Sequence, residues 1–327
     1  MNETPAGRPA YARTGETHAR IAVLVPCYNE EAAIGQVVHD FRASLPTAII
    51  YVYDNCSQDS TATRARDAGA VVRLEERRGK GNVVRRMFAD VEADIYVLVD
   101  GDDTYDSAAA PALVRTLVEG GYDIVSGRRL AVGEHAYRTG HLFGNHLLTG
   151  LTAAMFRVEI ADLLTGYRVM SRRFVKSFPF TAEGFGIETE LTVHAVRLLM
   201  PMIEVETRYK ERPAGSVSKL STWGDGFRIL FTIVGLVREE RPLTFFTGLF
   251  VLLAIGSLIL GTPVVVEYFR TGLVPRLPSA VLATALMSLG VLSLASGLIL
   301  DTVTRGRWEV KRTAYLRMPG PHDLRLP

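Results

Sequence analysis

The stretch I-Y-V-L-V-D-G-D-D-T-Y at residues 95–105 constrains the fold more than any other part of the sequence. An apolar run of strand length ends directly in a cluster of acids, Asp100, Asp102 and Asp103. In an open α/β sheet, ligands bind outside the carboxyl ends of the strands. Close carboxylates repel one another unless a positive group, such as a hard divalent cation, lies among them. The segment therefore predicts a buried strand leading into a ligand site, with a solvated acidic turn as the alternative.

Apolar runs alternate with helical patterns from residue 21 onward. The expected strands cover 21–25, 48–53, 71–74, 95–99 and 122–126, and the expected helices cover 30–44, 61–68, 82–89 and 108–119. Repeated β-α-β units predict an α/β fold with a doubly wound, mostly parallel sheet and right-handed crossovers. The turn P-C-Y-N-E-E after the first strand lacks the glycines of a dinucleotide-binding turn, and G-K-G lacks the rest of a P-loop.

Polar side chains follow the carboxyl ends of the successive strands. They are Pro26, Tyr28, Asn29 and Glu30 after the first strand, Asp54 after the second, and Lys80 in a glycine-flanked turn. Tyr28 can stack on a base, and Asp54 can accept hydrogen bonds from a base or a ribose. Taken alone, Asn29 is also explained as a helix cap and Asp54 as a turn residue. Together with Asp100 and Asp102 at one sheet edge, these residues predict a site for a nucleoside diphosphate.

Two long segments near the C-terminus are free of charged residues. They lie between Arg241 and Glu267 and between Arg276 and Asp301, and each is about two dozen residues long, enough to cross a hydrocarbon core of roughly 30 Å. Basic residues are concentrated outside the hairpin, so the positive-inside rule predicts that both of its ends are cytoplasmic. Two buried helices of a soluble core are the alternative.

The remaining patterns complete the expected organisation. It comprises a disordered tail (1–19), a cytosolic α/β domain (20–222), a juxtamembrane amphipathic helix (223–241), a transmembrane hairpin (242–302, with spans at about 243–266 and 277–300) and a basic cytoplasmic tail (303–327). The amphipathic stretch 225–239 is expected in the membrane interface, whereas 141–156 fits either the interface or the core. The net charge of +2, without a lysine-rich tail or an aromatic-basic pattern, indicates no nucleic-acid partner. Cys27 and Cys56 form neither a disulfide framework nor a zinc spacing.

The motifs V-P-C-Y-N-E-E, V-Y-D-N-C-S-Q-D-S-T, G-K-G-N and V-L-V-D-G-D-D-T-Y resemble those of the family 2 glycosyltransferases, which have a GT-A fold. Within that family the chain resembles the polyprenyl-phosphate sugar synthases, the group of dolichyl-phosphate mannose synthase, over roughly residues 20–220. The resemblance implies an inverting hexosyltransferase that uses Mg²⁺ or Mn²⁺. It would move a sugar from a nucleotide-sugar donor to a polyprenyl phosphate at the cytoplasmic face of the inner (plasma) membrane. The identity of the sugar, the lipid length and a homo-oligomeric state are left open.

The resemblance also implies roles for residues around the donor. Pro26, Tyr28, Glu30 and Asp54 would contact the nucleoside, with Asn29 and Lys80 completing the nucleotide site. Asp100 and Asp102 would form the metal-binding pair, with Asp102 expected to touch the ion. Arg212, Ser218 and Lys219 lie in a glycine-containing loop that suits a lid over the diphosphate, with a plain basic loop near the membrane as the alternative.

On the acceptor side, the implied phosphate ligands are Arg129, with Arg128 as its substitute, and Arg138. T-G-Y-R-V-M-S-R-R and G-F-G-I-E-T-E-L resemble the acceptor side of the same family. Glu188 and Glu190 are two residues apart on a helix, so they point in different directions. One of them could orient the acceptor, although the first turn of a helix favours acids in any case.

Three other functions would each leave a different feature in the sequence. A processive polysaccharide synthase would carry Q-x-x-R-W, but Thr304 stands where its glutamine would precede Arg307 and Trp308. A glycosyltransferase acting on a glycolipid or glycan hydroxyl would require a carboxylate base such as Glu188. A non-catalytic, nucleotide-sugar-binding membrane protein is the third, and the retained Asp100, Asp102 and Lys219 argue against it.

Overall fold

A mixed sheet of seven strands organises the α/β part of the chain. The computed structural model describes residues 18–131, 160–178, 186–210 and 237–327, together with residues 150, 234 and 235. The strands are β1 (Ile21–Cys27), β2 (Ile49–Asp54), β3 (Val71–Leu74), β4 (Ile95–Leu98), β5 (Ile124–Ala131), β6 (Arg168–Ser171) and β7 (Met202–Tyr209). Their order across the sheet is β3-β2-β1-β4-β6-β5-β7. All neighbouring pairs are parallel except those of β6, which is antiparallel to β4 and to β5.

Helices cover both faces of this sheet. In the described part they are α1 (Ile34–Ser44), α2 (Thr61–Asp67), α3 (Lys80–Asp90), α4 (Ala110–Glu119), α5 (Arg172–Ser177) and α6 (Ile187–Arg197). One core cluster joins the sheet to α1 and α4 through residues such as Phe41 and Leu117, and the other joins it to α3, α5 and α6 through residues such as Phe88 and Phe174. Because both faces are covered, β1 and β4 are continuous apolar runs and not alternating ones.

The topology places a switch point between β1 and β4. The chain winds outward from β1 to β2 and β3, and then crosses back to place β4 on the other side of β1. Parallel strands diverge into their loops at such a point, which leaves a crevice at their carboxyl ends. The predicted doubly wound, mostly parallel sheet is confirmed, whereas β6 and β7 were absent from the predicted strands.

Two long apolar helices follow the sheet. They are α7 (Pro242–Thr271) and α8 (Leu277–Leu316), and their most apolar windows have mean hydropathies of 2.5 and 1.9. Most of their side chains are exposed, and by length and composition both helices could cross a membrane. The predicted spans 243–266 and 277–300 lie inside them. Gly272 follows the end of α7, and its φ of 70° lies in the left-handed region that glycine adopts readily.

Other predicted segments either lie outside the described residues or differ from the expected organisation. The amphipathic stretches 141–156 and 225–239 lie outside the described residues, apart from residues 150, 234, 235 and 237–239. Of the predicted N-terminal tail only residues 18 and 19 are described, and Ala19 is buried. Residues 303–316, expected as part of a basic tail, continue α8, and Leu324 and Leu326 beyond it pack against the core of the α/β domain.

Small residues allow α7 and α8 to approach closely. Ser257 Oγ donates to the carbonyl of Ala283 at 2.7 Å, and Ser293 Oγ donates to the carbonyl of Phe246 at 3.2 Å. A Cβ on Gly297 would lie 2.7 Å from Cβ of Phe246. Such contacts are typical of helix pairs that pack in a lipid environment.

The same glycine substitution should have opposite effects at two positions of α8. Gly297→Ala should destabilise the hairpin by about 1–3 kcal/mol, because the added methyl overpacks the contact with Phe246. Gly306→Ala, whose Cβ would meet nothing within 4 Å, should be neutral or stabilising by up to about 1 kcal/mol. Thermal unfolding of the full chain in detergent measures both, and equal effects would contradict the packing.

Candidate active site

A cavity of about 400 Å³ lies at the switch point, outside the carboxyl ends of β1 and β4. Six of the predicted nucleotide-site residues line it, namely Pro26, Tyr28, Glu30, Lys80, Asp100 and Asp102. The structure therefore brings together groups from the end of β1, from the loops after β1 and β4, and from the start of α3. Asn29, Asp54, Arg129 and Glu188 are described but do not line this cavity. Arg138, Arg212, Ser218 and Lys219 lie outside the described residues.

The loops after β1 and β2 are tied to each other by short hydrogen bonds. The backbone N–H of Asn29 donates to Ser57 Oγ at 2.8 Å, and its side-chain oxygen accepts from the N–H of Gln58 at 2.8 Å. The N–H of Glu30 donates to Thr61 Oγ1 at 2.8 Å. Asn29 has a φ of 51°, a conformation that asparagine tolerates better than most residues. Asn29 thus shapes the loop that presents Tyr28 and Glu30; a direct contact with a nucleotide stays a prediction.

Asp54 ends β2 as a buried carboxylate that is 6% exposed. One of its oxygens accepts from the N–H of Ser57 at 3.3 Å, while the other is buried and has no hydrogen-bond partner among the described residues. A buried oxygen left without a donor costs free energy. Asp54 does not line the cavity, so its contact with a nucleoside stays a prediction.

Asn55, which sequence reasoning did not single out, holds the loop that leads to Lys80. Its side-chain nitrogen donates to the carbonyls of Glu75 and Arg77, both at 2.8 Å, and its oxygen accepts from the N–H of Gly79 at 2.7 Å. Gly79 has a φ of 118°, which strongly favours glycine. The one signal in the sequence is a polar amide directly after Asp54 at the end of a strand.

Lys80 lies between two carboxylates from different parts of the fold. Its Nζ is 2.5 Å from Oδ1 of Asp100 and 2.6 Å from Oε1 of Glu188. Burial works against the ammonium charge, but Asp100 and Glu188 outweigh it and raise the pKa of Lys80 above its ordinary value. Burial would also raise the pKa of Glu188, but Lys80 outweighs burial and lowers it. Glu188 therefore reaches the site through Lys80.

The acids after β4 are packed closely by two glycines. A Cβ on Gly101 would lie 2.6 Å from Sγ of Cys27, and one on Gly166 would collide with the carboxylate of Asp100. Asp102 is 5% exposed, and its Oδ1 accepts from Thr104 Oγ1 at 2.6 Å. Burial raises the pKa of Asp100 above its usual range, and the attraction of Lys80 does not cancel that shift.

The side chains that could ligate a metal ion fit one particular kind of metal site. No group of three or more His, Cys, Asp or Glu side chains within the described ranges could hold a metal ion. Asp100 and Asp102 do supply two carboxylates to one cavity. Mg²⁺ is commonly held by one or two carboxylates together with substrate phosphates and water. The pair therefore fits an ion that binds together with a diphosphate, and not a cage made by the protein alone.

Arg129 is held by an acid instead of facing the cavity. Its Nε and Nη2 donate to the carboxylate of Asp162 at 2.7 and 2.8 Å, and its guanidinium lies 5.5 Å from the ring centre of Tyr209. Burial opposes the charge of Arg129, but the hydrogen bonds to Asp162 raise its pKa. Arg128 is exposed, 3.5 Å from Glu206. A phosphate ligand at Arg129 would have to compete with Asp162, so the predicted acceptor role stays a prediction.

Arg168 is a buried cation that the sequence did not reveal. It lies opposite Leu98 in the β4–β6 ladder and is 1% exposed. Its guanidinium donates to the carbonyls of Leu163 and Thr165 and to Thr192 Oγ1, at 2.8, 3.2 and 2.8 Å. Burial lowers its pKa, and nearby Glu188 favours the charged form. The only signal was its place in the T-G-Y-R segment.

Glu188 and Glu190 point in different directions, as their spacing predicted. Glu190 Oε1 lies 3.8 Å from Nη2 of Arg85, whereas Glu188 binds Lys80. Burial raises the pKa of Glu190 from 4.5 to about 7. Glu190 is therefore an ionisable group of the α3–α6 contact.

Glu190 should make stability depend on pH. Between pH values near 4.5 and 7 the folded protein binds a proton that the unfolded chain has released, so its stability falls as the pH rises through this window. Glu190→Gln, which cannot ionise, should stabilise the protein at pH 8 by on the order of 2–3 kcal/mol and have little effect below about pH 4.5. Thermal unfolding across this range measures the difference. The control is the exposed Glu119→Gln, and a pH profile of Glu190→Gln parallel to that of the unsubstituted protein would contradict the assignment.

Comparison with known proteins adds to this geometry. The chain matches the family profile described as Glycosyl transferase family 2 over residues 22–178. It is 56% identical to Protein RfbJ of Shigella flexneri over 122 residues, which cover 37% of this chain and 95% of that protein. It is 31% identical to the dolichyl-phosphate hexose transferase of Haloferax volcanii over 228 residues, covering 70% of this chain and 98% of that protein.

A solved structure shares the fold. The Mycobacterium tuberculosis glucosyl-3-phosphoglycerate synthase, crystallised with Mn²⁺, UDP-glucose and phosphoglyceric acid, superposes with a TM-score of 0.54 at 25% identity. The superposition covers 67% of this chain and 79% of that one.

Proposed function

Because the chain belongs to glycosyl transferase family 2, we propose that it transfers a hexose from a nucleotide-sugar donor to a polyprenyl phosphate at a membrane surface. The observation that carries the proposal is the cavity where Tyr28, Lys80, Asp100 and Asp102 meet, in a chain that also has two helices able to cross a membrane. The similarity to a dolichyl-phosphate hexose transferase supports a lipid acceptor, and the structural neighbour with UDP-glucose supports the donor class.

The donor would bind at the switch point. Tyr28 lines the cavity and offers an aromatic face for the base. The proposed contact of Asp54 with a base N–H or a ribose hydroxyl requires its buried carboxylate to become accessible when the donor binds. Lys80 offers its charge to the diphosphate. Since Lys80 is held between Asp100 and Glu188, its position is set before a donor arrives, which lowers the ordering cost of binding.

Asp100 and Asp102 would hold Mg²⁺ or Mn²⁺, as the Mn²⁺-bound neighbour supports. The bound ion would neutralise charge on the departing diphosphate. Asp102 is fixed by Thr104 and Asp100 by Lys80, so their carboxylates are oriented by the protein. Gly101 between them permits the close approach of this loop to Cys27.

The acceptor phosphate would attack the anomeric carbon directly. A bond forms from a phosphate oxygen to that carbon as the bond to the nucleoside diphosphate breaks, so one displacement inverts the centre. A phosphate monoester has its second pKa near 6 and needs no strong base at neutral pH. The barrier is the approach of two anions, which Lys80 and the buried Arg168 would lower, with Arg129, Arg138, Arg212, Ser218 and Lys219 as further proposed ligands.

An acceptor hydroxyl on a glycolipid or glycan would place a different demand on the site. It needs a general base, and the candidate is Glu188, which shares Lys80 with Asp100. Lys80 lowers the pKa of Glu188, which makes its carboxylate a weaker base. The ion pair therefore favours Glu188 as the residue that positions Lys80, and a phosphate as the acceptor.

The proposal includes a location. Residues 20–222 would form the cytosolic catalytic domain, 223–241 a juxtamembrane helix and 242–302 a hairpin in the inner (plasma) membrane. Both hairpin ends would face the cytoplasm, where nucleotide sugars are available. The basic residues that follow the apolar segment of α8, such as Arg305 and Arg307, support this orientation.

A panel of donors and acceptors tests the function. Purified full-length protein is given UDP-glucose, GDP-mannose or UDP-N-acetylglucosamine, with undecaprenyl phosphate, with phosphoglyceric acid or with no acceptor. Mass spectrometry should find a glycosylated lipid phosphate with one donor. Product only with phosphoglyceric acid, or nucleotide release that ignores the lipid, would contradict the lipid acceptor. Binding without turnover for every donor would favour a non-catalytic nucleotide-sugar-binding protein.

Two neighbouring aspartates provide a matched test of the metal pair. Asp102→Asn should lower turnover about a hundredfold or more, because the amide cannot offset the charge of the ion. Asp103→Asn should stay close to the unsubstituted rate, since Asp103 does not line the cavity and asparagine tolerates its φ of 57°. Thermal unfolding with and without Mn²⁺ and a nucleotide diphosphate gives a second readout, and Asp102→Asn should lose the metal-dependent stabilisation. Near-normal activity of Asp102→Asn would place the metal elsewhere.

A further inference from the structure

Helix α8 continues well past its apolar segment. Charged residues begin at Asp301, but the helix runs on to Leu316. At 1.5 Å per residue, Trp308 and Tyr315 lie roughly 10 and 21 Å beyond Asp301 along the helix axis. They are seven residues apart and so occupy the same face. Any surface that binds both residues is held at a defined distance from the end of the apolar segment.

Tyr315 binds a buried carboxylate of the α/β domain. Its hydroxyl donates to Oδ2 of Asp123 at 2.8 Å, and Asp123 has no exposed surface. Asp123 also accepts from Ser171 Oγ at 2.6 Å and from Nε and Nη2 of Arg173 at 2.5 and 2.8 Å. The guanidinium of Arg173 lies 4.7 Å from the ring centre of Tyr315. One carboxylate thus joins the start of β5, helix α5 and helix α8.

A second contact lies closer to the apolar segment. Trp308 packs against the core cluster beneath α3 and α6, and the guanidinium of Arg197 lies 5.5 Å from its ring centre. Arg197 also donates to Glu240 Oε2 at 2.9 Å, just before α7 begins. Helix α6 therefore holds the beginning of α7 and the end of α8 together.

The segment after α8 extends the contact to the far side of the sheet. Leu324 and Leu326 pack against the core beside α1 and α4. The N–H of Ala19 donates to the carbonyl of Arg325 at 2.7 Å, next to the start of β1. From Trp308 to Leu326, the chain beyond the apolar segment is bound to the α/β domain at several points.

We propose that Asp123, Arg173 and Tyr315 are positioning residues that hold the α/β domain at a fixed height above the membrane. The inference rests on the proposed function, because a polyprenyl phosphate presents its phosphate only in the plane of the interface. A domain on a loose tether would sample many heights, whereas one bound to a continuous helix spends its time where the cavity meets that plane. Desolvating an ion pair is costly, and such pairs are retained in some proteins because they select one geometry.

Substitutions at Tyr315 separate positioning from folding. Full-length protein in lipid vesicles is assayed with long-chain polyprenyl phosphate in the bilayer and with a short, water-soluble prenyl phosphate. Tyr315→Phe removes only the hydrogen bond to Asp123, and Tyr315→Ala also removes the ring over Arg173. The matched controls are Tyr268→Phe and Tyr268→Ala, at an exposed tyrosine of α7.

Loss of the contact of Tyr315 with Asp123 and Arg173 should lower activity on the bilayer acceptor only. For Tyr315→Ala we expect kcat/KM with the bilayer acceptor to fall about tenfold or more, the loss that corresponds to one charge-assisted hydrogen bond. Tyr315→Phe should show a smaller fall, and the soluble acceptor should be used at the unsubstituted rate by both variants. Amide hydrogen exchange in residues 317–327 should quicken in Tyr315→Ala, while exchange in β1 and β4 stays unchanged.

Three results would overturn the proposal. They are unchanged exchange in residues 317–327, faster exchange without loss of activity on the bilayer acceptor, and an equal loss on both acceptors, which would indicate damage to the site itself. Failure of the proposed function has a different signature, because the unsubstituted protein would then glycosylate neither prenyl phosphate.

Discussion

The ammonium of Lys80, placed between Asp100 and Glu188, is the interaction on which the rest of the site depends. It links α3, the loop after β4 and α6, three elements that are far apart in the sequence. Without a cation among them these carboxylates would repel one another at the edge of a buried sheet. The loop that leads to Lys80 is held in turn by three side-chain hydrogen bonds of Asn55, so the geometry of the acids depends on the residue after β2.

The strands that form the site could largely be predicted from the sequence, because the pattern that identifies them is local. Strands β1 and β4 are continuous apolar runs, and each ends in polar residues whose position at a sheet edge follows from parallel topology. Strand β6 could not be predicted, since R-V-M-S is too short to show a period. Strand β7 does carry a local signal, because Ile203, Val205 and Thr207 alternate with charged residues along it.

The partners of charged residues could not be predicted from the sequence. Arg129 carries the sequence context expected of a phosphate ligand, yet Asp162, 33 positions away, binds it in two places. Arg168 follows an ordinary turn motif, and only the fold shows that it is buried and bound to neutral oxygens. Ion pairs form between residues that tertiary structure brings together, and their sequence separation carries no period to detect. The docking of Tyr315 on Asp123, across 192 positions, is the extreme case.

Ion pairs lie at two places where this chain sets a position. Lys80 with Asp100 and Glu188 sets the orientation of groups in the cavity, and Arg173 with Asp123 and Tyr315 sets the α/β domain against α8. Apolar packing alone tolerates small shifts at low cost, whereas a bidentate ion pair with a third donor is satisfied in one geometry. Strand β6 connects the two, since it pairs with β4 beside the acids and ends at Ser171, which binds Asp123. Under the proposed function, a soluble donor and a membrane-bound acceptor must meet at one point, which requires both positions to be set at once, and one short strand joins them.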